Sequence, residues 1–107
     1  MNKTIDKIIN ELRNHIKNKY AEFKGLYFYG SRARGEGTID SDYDIVFSFD
    51  REKINRQLKD DIINIVYDYE LENDILIDVR VYTFQSIQNP STPFRVNVKS
   101  EGIFYGV

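Results

Sequence analysis

Three acids and one glycine-rich turn carry the chemistry this chain can offer. Asp42 and Asp44 stand two residues apart, so on a strand both carboxylates leave the same face, close enough to share divalent cations. Asp78 stands alone among apolar neighbours in Ile75-Leu76-Ile77-Asp78-Val79, a costly place for a charge unless it is paired or bound to metal. A few carboxylates completed by waters and substrate phosphates suit Mg²⁺. Upstream, Gly30-Ser31-Arg32-Ala33-Arg34-Gly35 offers backbone N–H groups and a hydroxyl in the kind of concavity that cradles phosphate oxygens. Taken singly, each signal is weak. Gly-Ser pairs are usually plain turns, Asp-x-Asp in an acid-rich chain is usually a solvated start of a strand, and Asp78 could lie on a solvent-facing edge, paired with Arg80. If the strand bearing Asp78 lies beside the one bearing Asp44, the acids converge on one end of a sheet.

The elements that must position these residues follow from periodicity. Ile5, Ile8, Ile9, Leu12 and Ile16 recur at helical steps and predict an amphipathic first helix. Gly25 ends the connection into a strand over Leu26 to Tyr29, which stops at Gly30, where three glycines in eight residues demand a turn. Alternation from Asp42 to Phe49 predicts a second strand with Asp42, Asp44, Val46 and Ser48 on one face. Ile54, Leu58, Ile62, Ile65, Val66 and Tyr69 mark a long helix, and Ile75 to Tyr82 a third strand with Asp78 and Arg80 on its less apolar face. Thr92 as N-cap, Pro93 in the first turn and Gly102 past the end frame a short helix before a last strand, Ile103 to Tyr105. The expected class is α/β or α+β, a small mixed sheet with helices packed over it.

Composition narrows the function classes. The 107 residues, 41% hydrophobic and 30% charged, suit one domain spanning 1–107. Fifteen Lys and Arg against 17 Asp and Glu argue against a broad basic surface and strong direct nucleic-acid binding. With no cysteine, disulfides, thiolate metal sites and cysteine nucleophiles are excluded. No run has signal-peptide or membrane-span character, so a cytoplasmic protein without membrane association is expected. His15 reads as a surface residue, Asp60-Asp61 as a solvated helix face, and the tyrosines and phenylalanines as mostly core.

The ordered set Gly30, Ser31, Ala33, Gly35, Ser41, Asp42 and Asp44, with Asp78 on a later strand and the closing segment Phe94 to Tyr105, resembles the minimal nucleotidyltransferases of the DNA polymerase β-like superfamily. The resemblance spans nearly the whole chain. It implies the polymerase β-like fold and nucleotidyl transfer from ATP, with two Mg²⁺ ions held by Asp42, Asp44 and Asp78. It also implies a nucleotide site built from Gly30, Ser31, Ser41 and one of Arg32 and Arg34, the sequence leaving open which. Short chains of this kind resemble the antitoxin half of toxin–antitoxin pairs, which implies a HEPN-type ribonuclease toxin as partner, an oligomer formed with it, and adenylylation of one of its tyrosines. The alternatives are a nucleotidyltransferase acting on a small molecule such as an antibiotic, and a catalytically silent partner-binding module. The intact acid set argues against the latter.

Overall fold

The computed structural model describes residues 4–38 and 41–107. Helix α1 spans Ile5–Lys19, capped by the Thr4 side chain, which accepts from the Lys7 N–H, and it buries Ile8, Ile9, Leu12 and Ile16. Strand β1 (Phe23–Tyr29) runs into the single-turn helix α2 (Gly30–Ala33), and strand β2 (Tyr43–Phe49) follows. Helix α3 (Arg56–Asn73) is capped by Asn55 and ends at Asp74 in the left-handed region. Strand β3 (Ile77–Thr83), helix α4 (Phe84–Gln88), helix α5 (Pro93–Glu101) and strand β4 (Ile103–Gly106) complete the chain.

The four strands lie in the order β3-β2-β1-β4. β1 pairs antiparallel with β2 and β4, while β2 and β3 are parallel, so the mixed sheet and helices match the expected class. One face packs on α1 and α3 through Phe28, Ile45, Phe47, Ile77 and their neighbours. The other carries a smaller cluster of Tyr27, Val46, Ile87 and Val98, against which Tyr29, Tyr82 and Phe94 pack. No helix among the described residues is long and apolar enough to cross a membrane.

Several elements differ from their sequence reading. β1 begins at Phe23, not Leu26, because fully buried Phe23 pairs with Phe49 across a register shift that places Gly25 inside the strand. β3 begins at Ile77, not Ile75: the Ile75 N–H is spent on the Glu70 carbonyl and the Ile77 N–H on the Glu70 carboxylate, which ties the start of the strand to α3. The turn at Gly30 contains a helical turn, and α4 is an element that apolar periodicity is too short to reveal. Asp61 is not merely solvated. It accepts from Tyr20 Oη and from Lys19 Nζ (3.0 Å), joining α3 to α1.

Candidate active site

The site forms where β1, β2 and β3 reach one end of the sheet. Parallel pairing sets Asp44 directly opposite Asp78, and antiparallel pairing sets Asp44 opposite Tyr29. Gly30 follows Tyr29 at φ +82°, and a Cβ there would collide with Asp44 Oδ2. Glycine therefore answers two needs at once: a left-handed backbone turn and close approach of the chain to a carboxylate. Ser31 stands beside it in α2, and its carbonyl accepts from the Glu36 N–H at 2.8 Å, folding the loop back over the turn.

Asp44 is pushed above the usual carboxylate range by partial burial first, then by repulsion from Asp78 and Asp42, with Arg80 opposing. Three negative charges thus share one field. Asp42 lies one residue before the first ladder position of β2 and is exposed, while Asp44 is partly buried within the strand. Asp78 is engaged by Arg80 (Nε to Oδ2 3.4 Å). Arg80 also lies 4.8 Å from the Phe94 ring centre, and its proton is held more firmly by Tyr29 and Asp78 despite the opposing effect of burial. The Tyr29 hydroxyl is pushed up to about 12 by burial and by the nearby Asp44 and Asp78, so it stays protonated at neutral pH.

The remaining candidates separate. Arg32 donates from Nε to the Ser41 carbonyl (3.1 Å) and from Nη1 to the Tyr43 hydroxyl (3.1 Å), and stacks 4.4 Å from the Tyr43 ring centre. It braces the loop against β2. Ser41 Oγ accepts from the Thr38 N–H at 3.0 Å, which closes the same loop. Arg34 is exposed and pairs with Glu36 at 2.6 Å, an exposed pair of small net energy and so readily exchanged for another anion. His15 is exposed and shares a hydrogen bond with Tyr69 at 3.2 Å, away from the site. The aromatic wall of Tyr29, Tyr82 and Phe94 beside the acids escaped the sequence reading, since its members look like ordinary core residues.

Hard carboxylate oxygens on neighbouring strands are the donor set a divalent cation such as Mg²⁺ takes, and a cation would relieve the repulsion that adds to burial in raising Asp44. Among the described residues, however, no three His, Asp or Glu side chains close into a group able to hold a metal ion. The register brings Asp44 and Asp78 together, and Asp42 joins them through its charge.

Comparison with known proteins speaks to the fold and the family. Over 91 residues the chain is 36% identical to "Putative protein adenylyltransferase MJ1379" of Methanocaldococcus jannaschii, covering 82% of this chain and 86% of that one. A crystal structure of a putative nucleotidyltransferase from Sulfolobus solfataricus superposes with a TM-score of 0.62 at 21% identity, over 92% of this chain and 77% of that chain. A toxin–antitoxin structure with AMP-PNP superposes with a TM-score of 0.68 at 16% identity, over 97% of this chain and 75% of that chain. At these identities the two structures speak for the fold. The model of the nucleotidyltransferase domain matches residues 6–105, a span that takes in the Gly30 turn, all three acids and most of the closing strand, and the chain belongs to the nucleotidyltransferase domain family.

Proposed function

We propose that this chain transfers the adenylyl group of ATP to a tyrosine hydroxyl of a HEPN-type toxin in the presence of Mg²⁺, and so acts as an antitoxin. The observation that carries this reading is the register of β2 and β3, which sets Asp44 against Asp78 beside the Gly30 turn. The relative named as a protein adenylyltransferase and the toxin–antitoxin structure with AMP-PNP lend it support.

In this reading the Gly30-Ser31 turn holds the β- and γ-phosphates, and Arg34, exchanging Glu36 for phosphate, meets the charge of the leaving pyrophosphate. Arg32 and Ser41 keep the loop in place. Asp78 faces the acceptor and takes the proton of its hydroxyl. The freed oxygen pair forms a bond to the α-phosphorus while the bond from that phosphorus to the pyrophosphate oxygen breaks, and pyrophosphate leaves with the electrons. Two Mg²⁺ ions, held by Asp42, Asp44 and Asp78, would neutralise charge on the attacking and leaving oxygens. A chain of net charge -2 exerts little long-range pull on RNA, whereas a protein partner supplies the acceptor hydroxyl. A phosphate-bearing group placed near an RNA-binding surface would then block RNA by bulk and like charge.

The test is incubation with ATP labelled at the α-phosphate, Mg²⁺ and the protein encoded beside this one, followed by mass spectrometry. Label on a tyrosine of that neighbour is the expected result. Label on a small molecule or an RNA end, with the neighbour untouched, overturns the antitoxin reading.

A further inference from the structure

A cleft of about 200 Å³ opens beside the Gly30 turn, lined by Tyr29, Gly30, Arg34, Phe94, Asn97, Val98 and Glu101. We infer that this cleft is the base subsite of the nucleotide, reading a 6-aminopurine with Asn97 and Glu101 and stacking it in the corner made by Phe94 and Tyr29. The inference rests on the nucleotidyl-transfer reading above and assigns residues to the part of the substrate that reading leaves unplaced.

Size is the first argument. Sites that enclose a whole ligand usually have about 300–1,000 Å³, so this cleft holds a ring system, not an entire nucleoside triphosphate. Position is the second. Gly30 belongs both to the cleft and to the turn that faces Asp44, and Tyr29 lies opposite Asp44 in the ladder. A ligand with its phosphates at the turn and its α-phosphorus near Asp44 therefore has this cleft within reach of its other end.

Chemistry is the third. Phe94, Asn97, Val98 and Glu101 fall at positions i, i+3, i+4 and i+7 of α5 and so share one face of the helix. Val98 is buried and forms the floor. Phe94 and Tyr29 meet edge to face at 5.4 Å and 80°, leaving an aromatic corner, and stacking on such side chains is a sequence-tolerant way to hold a base. The exposed Asn97 side chain makes no hydrogen bond to another described residue, and a side-chain amide pairs its donor and acceptor with N7 and the 6-amino group of adenine. Glu101, close enough to Arg34 to strengthen that cation, adds only acceptors. It favours an exocyclic amine and repels the 6-oxo group of guanine.

Calorimetric titration of the full chain with ATP, GTP and inorganic tripolyphosphate, each with Mg²⁺, tests this in the wild type, Asn97→Ala and Phe94→Leu. Alanine suits an exposed helical position, and leucine keeps apolar bulk against Tyr29 and Tyr82, so both variants fold. The wild type should bind ATP at least about tenfold more tightly than tripolyphosphate or GTP, given what a stacked base contributes. Asn97→Ala and Phe94→Leu should each weaken ATP about three- to tenfold and leave tripolyphosphate unchanged. Equal losses for ATP and tripolyphosphate, or tripolyphosphate binding as tightly as ATP, would overturn the base cleft and leave the transferase reading standing. Equal affinity for GTP overturns the adenine assignment. No binding of ATP or tripolyphosphate overturns both readings.

Discussion

Gly30→Ala and Gly35→Ala form a controlled pair, because the two glycines share a backbone conformation and differ in what a side chain would meet. Both have positive φ, +82° at Gly30 and +73° at Gly35. An L-residue held there costs about 1–2 kcal/mol, which for a domain of this size lowers Tm by about 4–8 °C per kcal/mol. At Gly35 no described residue lies within 4 Å of the added methyl, so strain is the expected effect and transfer should survive. At Gly30 the methyl collides with Asp44 Oδ2. The carboxylate must turn away, leaving its place opposite Asp78, and a misplaced catalytic group costs about 10²-fold in rate. Urea melts and transfer rates on both variants separate the two effects. The expected outcome is a similar loss of stability, about 1–2 kcal/mol, with activity lost only in Gly30→Ala. Equal activity in the two variants, or wild-type transfer by Gly30→Ala, would refute the claim that Gly30 is kept for Asp44.

Asp44→Asn should abolish transfer yet raise stability at pH 7 by about 0.2–1 kcal/mol, since it removes a charge facing another of like sign across the ladder. The pH dependence has a definite sign. Because the folded protein favours protonated Asp44, its contribution to stability is full at low pH and is lost as pH rises through its raised pKa, a slope that Asp44→Asn should remove from melting curves. Asp61 has the opposite sign: hydrogen bonds from Lys19 and Tyr20 hold its carboxyl below the usual range. Its contribution is present above the ordinary carboxylate range and lost as pH falls through the depressed pKa. Asp61→Asn should therefore cost about 1 kcal/mol at pH 7, after allowance for its exposure, and nothing in urea melts well below its pKa.

The order of strands and long helices was legible because each carries its own period, and the expectation that Asp44 and Asp78 converge depended on one condition, the adjacency of their strands. The parallel β2–β3 ladder meets it. What was not legible depends on contacts distant in sequence. Nothing near Phe23 signals that it pairs with Phe49 and draws Gly25 into the strand. Asp61 looks like any acid on a charged helix face until Lys19 and Tyr20 of the other helix reach it. Arg32 and Arg34 look alike in sequence, and contacts with Ser41 and Tyr43 on one side and Glu36 on the other tell them apart. Tyr29 and Phe94 read as core because aromatic residues on strands and helices usually are, yet they wall the cleft beside Gly30.

Adenylyl transfer to a protein hydroxyl is the work proposed above for the Asp44 and Asp78 pair beside Gly30. The decisive experiment gives the protein encoded beside this one ATP labelled at either the α- or the γ-phosphate, using wild type and Asp78→Asn. Expected are α-label and no γ-label on that neighbour with the wild type, and neither label with Asp78→Asn, although that variant still binds ATP with Mg²⁺. Label arriving from the γ-phosphate, or undiminished α-label with Asp78→Asn, would contradict that proposal.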